Sequence, residues 1–235
     1  MREHDPGVVV TDVSHVGENH PMPPAPNDDL RWIVLVPVKR LAHAKTRLST
    51  RTAQERSSLA LAFARDVVVA AVATPSVNEV IVITDDSVVA AAARECGARV
   101  VEDAPDAGLN PALAHGALIA RRTDTTSGLV VLAGDLPALR PEDLTIVLQQ
   151  AAAHPGRSFV ADVAGIGTTA LAARPGHELD PEFGGRSRAA HRASGAHELM
   201  SPDIASVRRD VDTEVDLWDA IRIGVGAATT AVLAH

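Results

Sequence analysis

The sequence predicts a doubly wound α/β domain, in which a mostly parallel sheet carries helices on both faces. Three observations predict it. Short runs of Val, Ile and Leu are apolar at every position, as strands buried on both faces are. These runs alternate along the chain with segments of helical pattern. Charged residues follow several runs at once, at the place where an open parallel sheet binds its ligands.

The chain divides into a tail and one domain. Residues 1–29 hold a cluster of prolines between positions 21 and 26, surrounded by polar residues. Such a composition buries too little apolar surface to fold, so we expect a disordered tail. Residues 30–235 then form a single domain.

In this domain, strands and helices are predicted to alternate up to residue 154. The strands are predicted at 31–38, 78–84, 98–101 and 129–133, and the helices at 50–73, 87–96, 111–122 and 142–154. Ser49 or Thr50 is expected to cap the first helix, and Gly97 to end the second.

The alternation weakens after residue 154. Strands are predicted at 159–163, 168–173 and 205–208, and helices at 189–200 and 214–224. Thr213 is expected to cap the last of these helices, which would turn Leu217, Trp218 and Ile221 towards the core.

The composition argues against several classes of protein. A net charge of −8 disfavours general nucleic-acid binding, which usually needs a basic face. No apolar segment has the length of a membrane span, because Arg65 and Asp66 interrupt the richest one. The N-terminus lacks the apolar core of a secretory signal, and the single cysteine, Cys96, is typical of a reducing compartment. We therefore expect a cytoplasmic protein.

The basic residues are unevenly distributed. Of 22 lysines and arginines only two are lysines, Lys39 and Lys45, and both follow the first strand. With Arg40 and Arg47 they form a cationic segment in an acidic protein. Lysine is a compact, mobile charge that often holds phosphate groups. The chain contains neither a P-loop sequence nor a G-x-G-x-x-G fingerprint, so this segment predicts a phosphate site of another kind.

Three aspartates are candidate magnesium ligands. Asp135 follows the fourth strand, and Asp210 and Asp212 follow the strand predicted at 205–208. Magnesium takes few protein ligands, mainly carboxylates, together with substrate phosphates. The simpler alternatives are that Asp135 only shapes a turn and that Asp212 belongs to a helix cap.

Two small turns are candidate sites for an anionic substrate. Residues 183–188, Phe-Gly-Gly-Arg-Ser-Arg, offer glycines, a hydroxyl and two guanidinium groups ahead of a helix N-terminus, which favours anions. Residues 165–169, Gly-Ile-Gly-Thr-Thr, form a second hydroxyl-bearing turn. Ordinary loop composition explains both turns equally well.

Taken together, these segments resemble the nucleotidyltransferases of coenzyme F-420 biosynthesis, the phosphoenolpyruvate or 2-phospho-L-lactate guanylyltransferases. The stretches that carry the resemblance are Val-Pro-Val-Lys-Arg-Leu-x-x-Ala-Lys-Thr-Arg-Leu at 36–48, Gly-Asp-Leu-Pro-Ala-Leu at 134–139, Phe-Gly-x-x-Ser at 183–187, Ala-His-x-x-Ser-Gly-Ala-x-Glu-Leu at 190–199 and Asp-Val-Asp-Thr at 210–213.

The resemblance implies a GT-A-like nucleotidyltransferase fold and the transfer of GMP from GTP to a phosphorylated three-carbon acid. It implies Mg²⁺ as cofactor. The implied positions are Asp135, Asp210 and Asp212 for the metal, and Thr168, Gly184 and Ser187 for the acceptor.

A mechanism of this kind assigns roles to the cationic segment. The acceptor phosphate is largely ionised at neutral pH and needs no general base, so catalysis reduces to positioning and charge neutralisation. We expect Lys39, Lys45 and Arg47 to stabilise the departing pyrophosphate, and Lys39 and Asn110 to lie beside the nucleotide.

The sequence leaves alternatives open for the acceptor molecule and for the class of protein. The preference for Arg over Lys and the abundance of Ala indicate a GC-rich bacterial source, for which the resemblance implies phosphoenolpyruvate rather than 2-phospho-L-lactate. A molybdenum-cofactor or sugar nucleotidyltransferase is the runner-up, although the Gly-rich first loop of those enzymes is absent here. A non-catalytic α/β signalling module that uses Asp85 and Asp86 is a hypothesis from another class.

Overall fold

Seven strands form one sheet in the computed structural model, which describes Met1, residues 29–43 and residues 45–234. The strands are β1 (Trp32–Pro37), β2 (Val77–Ile83), β3 (Arg99–Val101), β4 (Gly128–Leu132), β5 (Arg157–Ala161), β6 (Thr168–Ala173) and β7 (His197–Glu198). The helices are α1 (Ala53–Val72), α2 (Ser87–Glu95), α3 (Leu109–Thr123), α4 (Pro141–Ala153), α5 (Ser187–Ala193), α6 (Ala205–Arg208), α7 (Glu214–Ile223) and α8 (Ala227–Leu233). The tail predicted at 1–29 lies almost wholly outside the described residues.

The strand order is β3-β2-β1-β4-β6-β5-β7. The pairs β1–β2, β1–β4, β2–β3 and β5–β7 are parallel, and β6 runs antiparallel to both of its neighbours. The predicted mostly parallel, doubly wound sheet is confirmed. Because β6 is reversed, its first residue, Thr168, lies at the same edge as the carboxyl ends of the parallel strands.

The two faces of the sheet bury separate aliphatic cores. On one face Val34 and Val36 of β1 pack with residues of α1, α2 and α4. On the other face Ile33 and Leu35 pack with residues of α3. Consecutive residues of β1 therefore enter different cores, which explains why this strand is apolar at every position.

The C-terminal helices pack against α1 and the residues that precede α7. Leu217 and Ala220 of α7 pack against Phe63 of α1 and Val211. Asp66, buried in α1, accepts hydrogen bonds from the backbone N–H groups at positions 228 and 229, each 2.9 Å long. This carboxylate fixes the start of α8, a helix that the sequence pattern did not predict.

The start of α1 differs from the prediction. Thr52, rather than Ser49 or Thr50, is the N-cap, because its side chain and that of Glu55 form a reciprocal capping box. The Thr50 hydroxyl instead donates to Glu214 at 2.6 Å.

Two elements predicted after residue 188 were wrong. The helix predicted at 189–200 ends at Ala193, since Gly195 adopts a φ of +88° and the chain then enters β7. The strand predicted at 205–208 is the helix α6. Its buried Ser206 donates hydrogen bonds from the backbone N–H and the hydroxyl to the carboxylate of Asp143 in α4. These contacts favour a turn of helix over an extended segment.

The orientation predicted for the α7 side chains was wrong for two of three. Leu217 is buried, but Trp218 is 65% exposed and Ile221 37% exposed. Thr213 caps this helix as predicted, in a capping box with Asp216. Among the described residues, no helix has both the length and the apolarity needed to cross a membrane.

We expect Asp66→Ala to destabilise the domain by about 1–3 kcal/mol, because two backbone N–H groups at the start of α8, one buried and one partly buried, lose their acceptor. Urea unfolding at pH 7 measures the free energy. Glu95→Ala is the matched control, because Glu95 forms an exposed pair with Arg65 and its loss should cost under about 1 kcal/mol. Equal destabilisation by both variants would show that Asp66 does not anchor α8.

Candidate active site

The candidate site lies where β1, β4 and β5 end and β6 begins. Asp135 follows β4 after Ala133 and Gly134, and a Cβ atom added to Gly134 would lie 2.9 Å from the carbonyl oxygen of Pro37. Only glycine permits this approach of β4 to the end of β1. The approach places Asp135 beside the cationic segment that follows β1.

Lys45 joins the cationic segment to the aspartates. Its ammonium group donates to Asp135 and, at 3.2 Å, to Asp212, while Arg47 pairs with Asp212 at 3.2 Å. The Lys45 side chain is only 10% exposed. Burial lowers the pKa of Lys45, but the charges and hydrogen bonds of Asp135 and Asp212 outweigh it and hold the pKa above its usual value. The ammonium therefore stays charged.

Four aspartates form an acidic cluster at this edge, with more negative charge than Lys45 and Arg47 neutralise. They are Asp135, Asp162, Asp210 and Asp212. Burial, followed by the charges of Asp135, Asp212 and Asp162, raises the pKa of Asp210 to about 7. Like charges held this close favour a cation or a proton among them.

Asp162 is a site residue that the sequence analysis missed. It directly follows β5, and its carboxylate accepts hydrogen bonds of 2.8 Å from each of the backbone N–H groups of Ile166 and Gly167. The available signal was an acid at the end of an apolar run. The strand predicted at 159–163 hid that signal, because it ran through Asp162.

No group of three or more His, Cys, Asp or Glu side chains is arranged to hold a metal ion within residues 29–43 and 45–234. Asp210 and Asp212 follow α6 rather than a strand, and Asp212 shares Lys45 with Asp135. The assignment of Mg²⁺ to these three aspartates stays a prediction.

The end of β2 anchors the other half of the cationic segment. Arg40 pairs with Asp85 at 3.3 Å, and Asp86 accepts from the backbone N–H of Leu41 at 2.9 Å while it caps α2. Lys39 is exposed on the same segment. Asp85 and Asp86 thus have structural partners, and the signalling hypothesis based on them gains no support.

The two predicted substrate turns contact each other. The backbone N–H of Arg188 donates to Ile166 at 3.1 Å, and its guanidinium donates to the carbonyl of Gly165 at 2.9 Å. Ser187 is the first residue of α5, and its backbone N–H donates to the carbonyl of Gly184 at 3.2 Å. The positions predicted to bind the acceptor therefore lie on adjoining segments.

Thr168 is linked to this helix by a histidine. Its hydroxyl oxygen lies 2.9 Å from Nδ1 of the buried His191. The backbone N–H of Gly167, one residue earlier, binds Asp162 in the acidic cluster. The acceptor positions and the aspartates thus meet at one edge of the sheet.

Asn110 has a structural contact that the sequence did not predict. Its amide donates to the carbonyl of Phe183 at 3.0 Å and accepts from the N–H of Phe183 at 2.9 Å. Both polar ends of the side chain hold the glycine-rich turn against α3. A contact between Asn110 and a nucleotide stays a prediction.

Solved structures share this fold. A provisionally assigned nucleotide-diphospho-sugar transferase from Desulfovibrio desulfuricans superposes with a TM-score of 0.63 at 15% identity, covering 87% of this chain and 94% of that chain. A nucleotidyl transferase from Methanothermobacter thermautotroptrophicus gives a TM-score of 0.54 at 19% identity, over 82% of this chain and 97% of that chain. The predicted nucleotidyltransferase fold is confirmed.

Sequence relatives are much closer. The phosphoenolpyruvate guanylyltransferase of Thermomonospora curvata is 50% identical over 207 residues, which cover 88% of this chain and 90% of that protein. The protein of the same name from Streptomyces coelicolor is 52% identical over 208 residues, covering 88% and 97%. The family described as "Guanylyl transferase CofC like" matches residues 32–234. The chain therefore belongs to the CofC-like guanylyl transferase family.

Proposed function

We propose that this protein transfers GMP from GTP to phosphoenolpyruvate and releases pyrophosphate. The observation that carries the proposal is the bridge from Lys45 to Asp135 and Asp212, at the same sheet edge as the turns that hold Thr168 and Ser187. Cations, carboxylates and hydroxyls at one edge of the sheet suit the binding of two phosphate substrates together. Membership of a guanylyl transferase family and the names of the relatives support the same reaction.

The reaction joins two phosphates. An oxygen of the acceptor phosphate attacks the α-phosphorus of GTP, and the bond from that phosphorus to the oxygen bridging the α- and β-phosphates breaks. Pyrophosphate leaves with the electron pair, and the product is enolpyruvoyl-2-diphospho-5'-guanosine. No proton has to move, since the acceptor oxygen is already ionised near neutral pH.

The cationic segment supplies positive charge for the departing pyrophosphate. Arg47 is 74% exposed despite its pair with Asp212, and Lys39 forms no ion pair within the described part of the chain. Both side chains are therefore available to phosphate oxygens. Preorganised charges of this kind lower the barrier of phosphoryl transfer without any bond to the protein.

The acidic cluster carries negative charge that a divalent cation would neutralise. Asp210 is half-buried, and burial, followed by the charges of Asp135, Asp212 and Asp162, raises the pKa of its carboxyl. We propose that Asp135, with Asp210 and Asp212, holds Mg²⁺, which when bound would neutralise charge on the transferring phosphate. Lys45 already provides one positive charge between Asp135 and Asp212.

The location of the reaction follows from general chemistry alone. The one cysteine of the chain, Cys96, is free, as in proteins of a reducing compartment. We propose that the protein acts in the cytoplasm.

Incubation of the protein with GTP, Mg²⁺ and phosphoenolpyruvate should release pyrophosphate, which a coupled phosphate assay measures. Parallel reactions with 2-phospho-L-lactate test which acceptor is used.

We expect Asp135→Asn to lower the rate at least about a hundredfold, because a carboxylate at the reacting phosphates is lost. Glu79→Gln, at the opposite end of the sheet, is the control and should retain activity. Failure to release pyrophosphate with either acceptor would overturn the proposed function.

Asp210→Asn should make the metal-free protein more stable at pH 8 than the parent. The folded-state pKa of about 7 lies above the ordinary 3.8, so the parent protein loses stability as pH rises from about 4 through 7, where the unfolded chain has already released this proton. We expect a gain of about 1 kcal/mol at pH 8 after allowance for solvent screening, and a smaller gain at pH 5. Urea unfolding at both pH values measures it. An equal gain at both values would contradict the raised pKa of Asp210.

A further inference from the structure

His191 is a buried histidine to which the proposed reaction assigns no role. It lies in α5, is fully buried, and packs between two aromatic rings. The ring of Phe159 lies 5.7 Å from it and that of Phe183 lies 5.1 Å away, edge-on. Such an enclosed imidazole keeps one orientation.

The contacts of His191 determine which ring nitrogen carries the proton. The backbone N–H of Glu182 donates to Nε2 at 3.0 Å, and a backbone N–H can only donate. Nε2 therefore carries no hydrogen. Burial, and next the charge of Arg157, lowers the pKa of His191 to about 4, so the ring is neutral near pH 7. The one remaining proton lies on Nδ1.

This tautomer decides the direction of the hydrogen bond to Thr168. Nδ1 lies 2.9 Å from Oγ1 of Thr168, and since Nδ1 bears the proton, the hydroxyl must accept. The hydroxyl proton of Thr168 then points to another partner. Within the described residues, this hydroxyl proton forms no hydrogen bond to another protein group. Thr168 opens β6 at the ligand edge and remains 9% exposed.

We propose that His191 is a positioning residue, which fixes the Thr168 hydroxyl as a hydrogen-bond donor towards an anionic oxygen of the acceptor. This inference rests on the proposed function. In the opposite tautomer Thr168 would donate to His191 and present only lone pairs to the anion, which would repel it. The donor is thus set before the acceptor binds, and no reorientation is needed on binding.

Two substitutions separate the two contacts of the ring. The amide nitrogen of Asn occupies about the place of Nδ1, so His191→Asn keeps a donor for Thr168 and loses the Glu182 contact. The amide oxygen of Gln reaches about as far as Nε2, so His191→Gln keeps an acceptor for Glu182 and loses the Thr168 donor. A merely structural histidine would not distinguish them in this direction.

Steady-state kinetics with GTP and phosphoenolpyruvate provide the first test. We expect His191→Gln to raise KM for phosphoenolpyruvate about tenfold or more, the size of a lost hydrogen bond to a charged group, and His191→Asn to raise it less than about threefold. KM for GTP should change little in both. In a Thr168→Val background, His191→Gln should add no further increase, because the hydroxyl it orients is gone.

Nuclear magnetic resonance provides a second test that does not need turnover. In two-dimensional ¹H–¹⁵N spectra of protein labelled at histidine, the signal lost in His191→Gln should show the neutral form with the proton on Nδ1 at pH 7. A proton on Nε2, equal KM changes in the Asn and Gln variants, or additive effects with Thr168→Val would overturn the inference. Absence of pyrophosphate release by the unsubstituted protein would overturn the proposed function, while the spectra would still decide the tautomer.

Discussion

The ion bridge at Lys45 is the interaction on which the site depends. It joins one ammonium group to carboxylates 90 and 167 residues away along the chain, so it holds the segments after β1, β4 and α6 in one place. Burying a charge costs free energy unless opposite charges surround it. Here Asp135 and Asp212 offset the cost of burying the Lys45 ammonium, so the geometry of the site depends on its charge balance.

The strands that build the ligand edge could be predicted from the sequence because they are buried on both faces. β1 and β4 are apolar throughout and β2 is apolar over its last four residues, a pattern typical of short strands buried on both faces. The prediction failed where tertiary contacts decide the conformation. The short segment at 205–208 is helical because Ser206 binds Asp143, and α8 exists because Asp66 caps it, and neither partner is close in sequence.

The residues of the candidate site could be predicted where they directly follow a predicted strand. Asp135 and the cationic segment could be found in this way, whereas Asp162 could not, because its strand ends two residues earlier than predicted. Asn110 and His191 show another limit. Their importance rests on contacts with Phe183, Glu182 and Thr168, and only the folded chain brings these partners together.

The reversed strand β6 has an evolutionary consequence. Because β6 begins at the edge where the parallel strands end, one contiguous piece of chain from Arg157 to Ala193 carries the positions proposed to bind the acceptor. The positions proposed to bind the triphosphate and Mg²⁺ lie instead on the separate segments after β1, β4 and α6. Under the proposed function, substitutions within this contiguous piece would change the acceptor that binds and leave the segments after β1, β4 and α6 with their sequence unaltered.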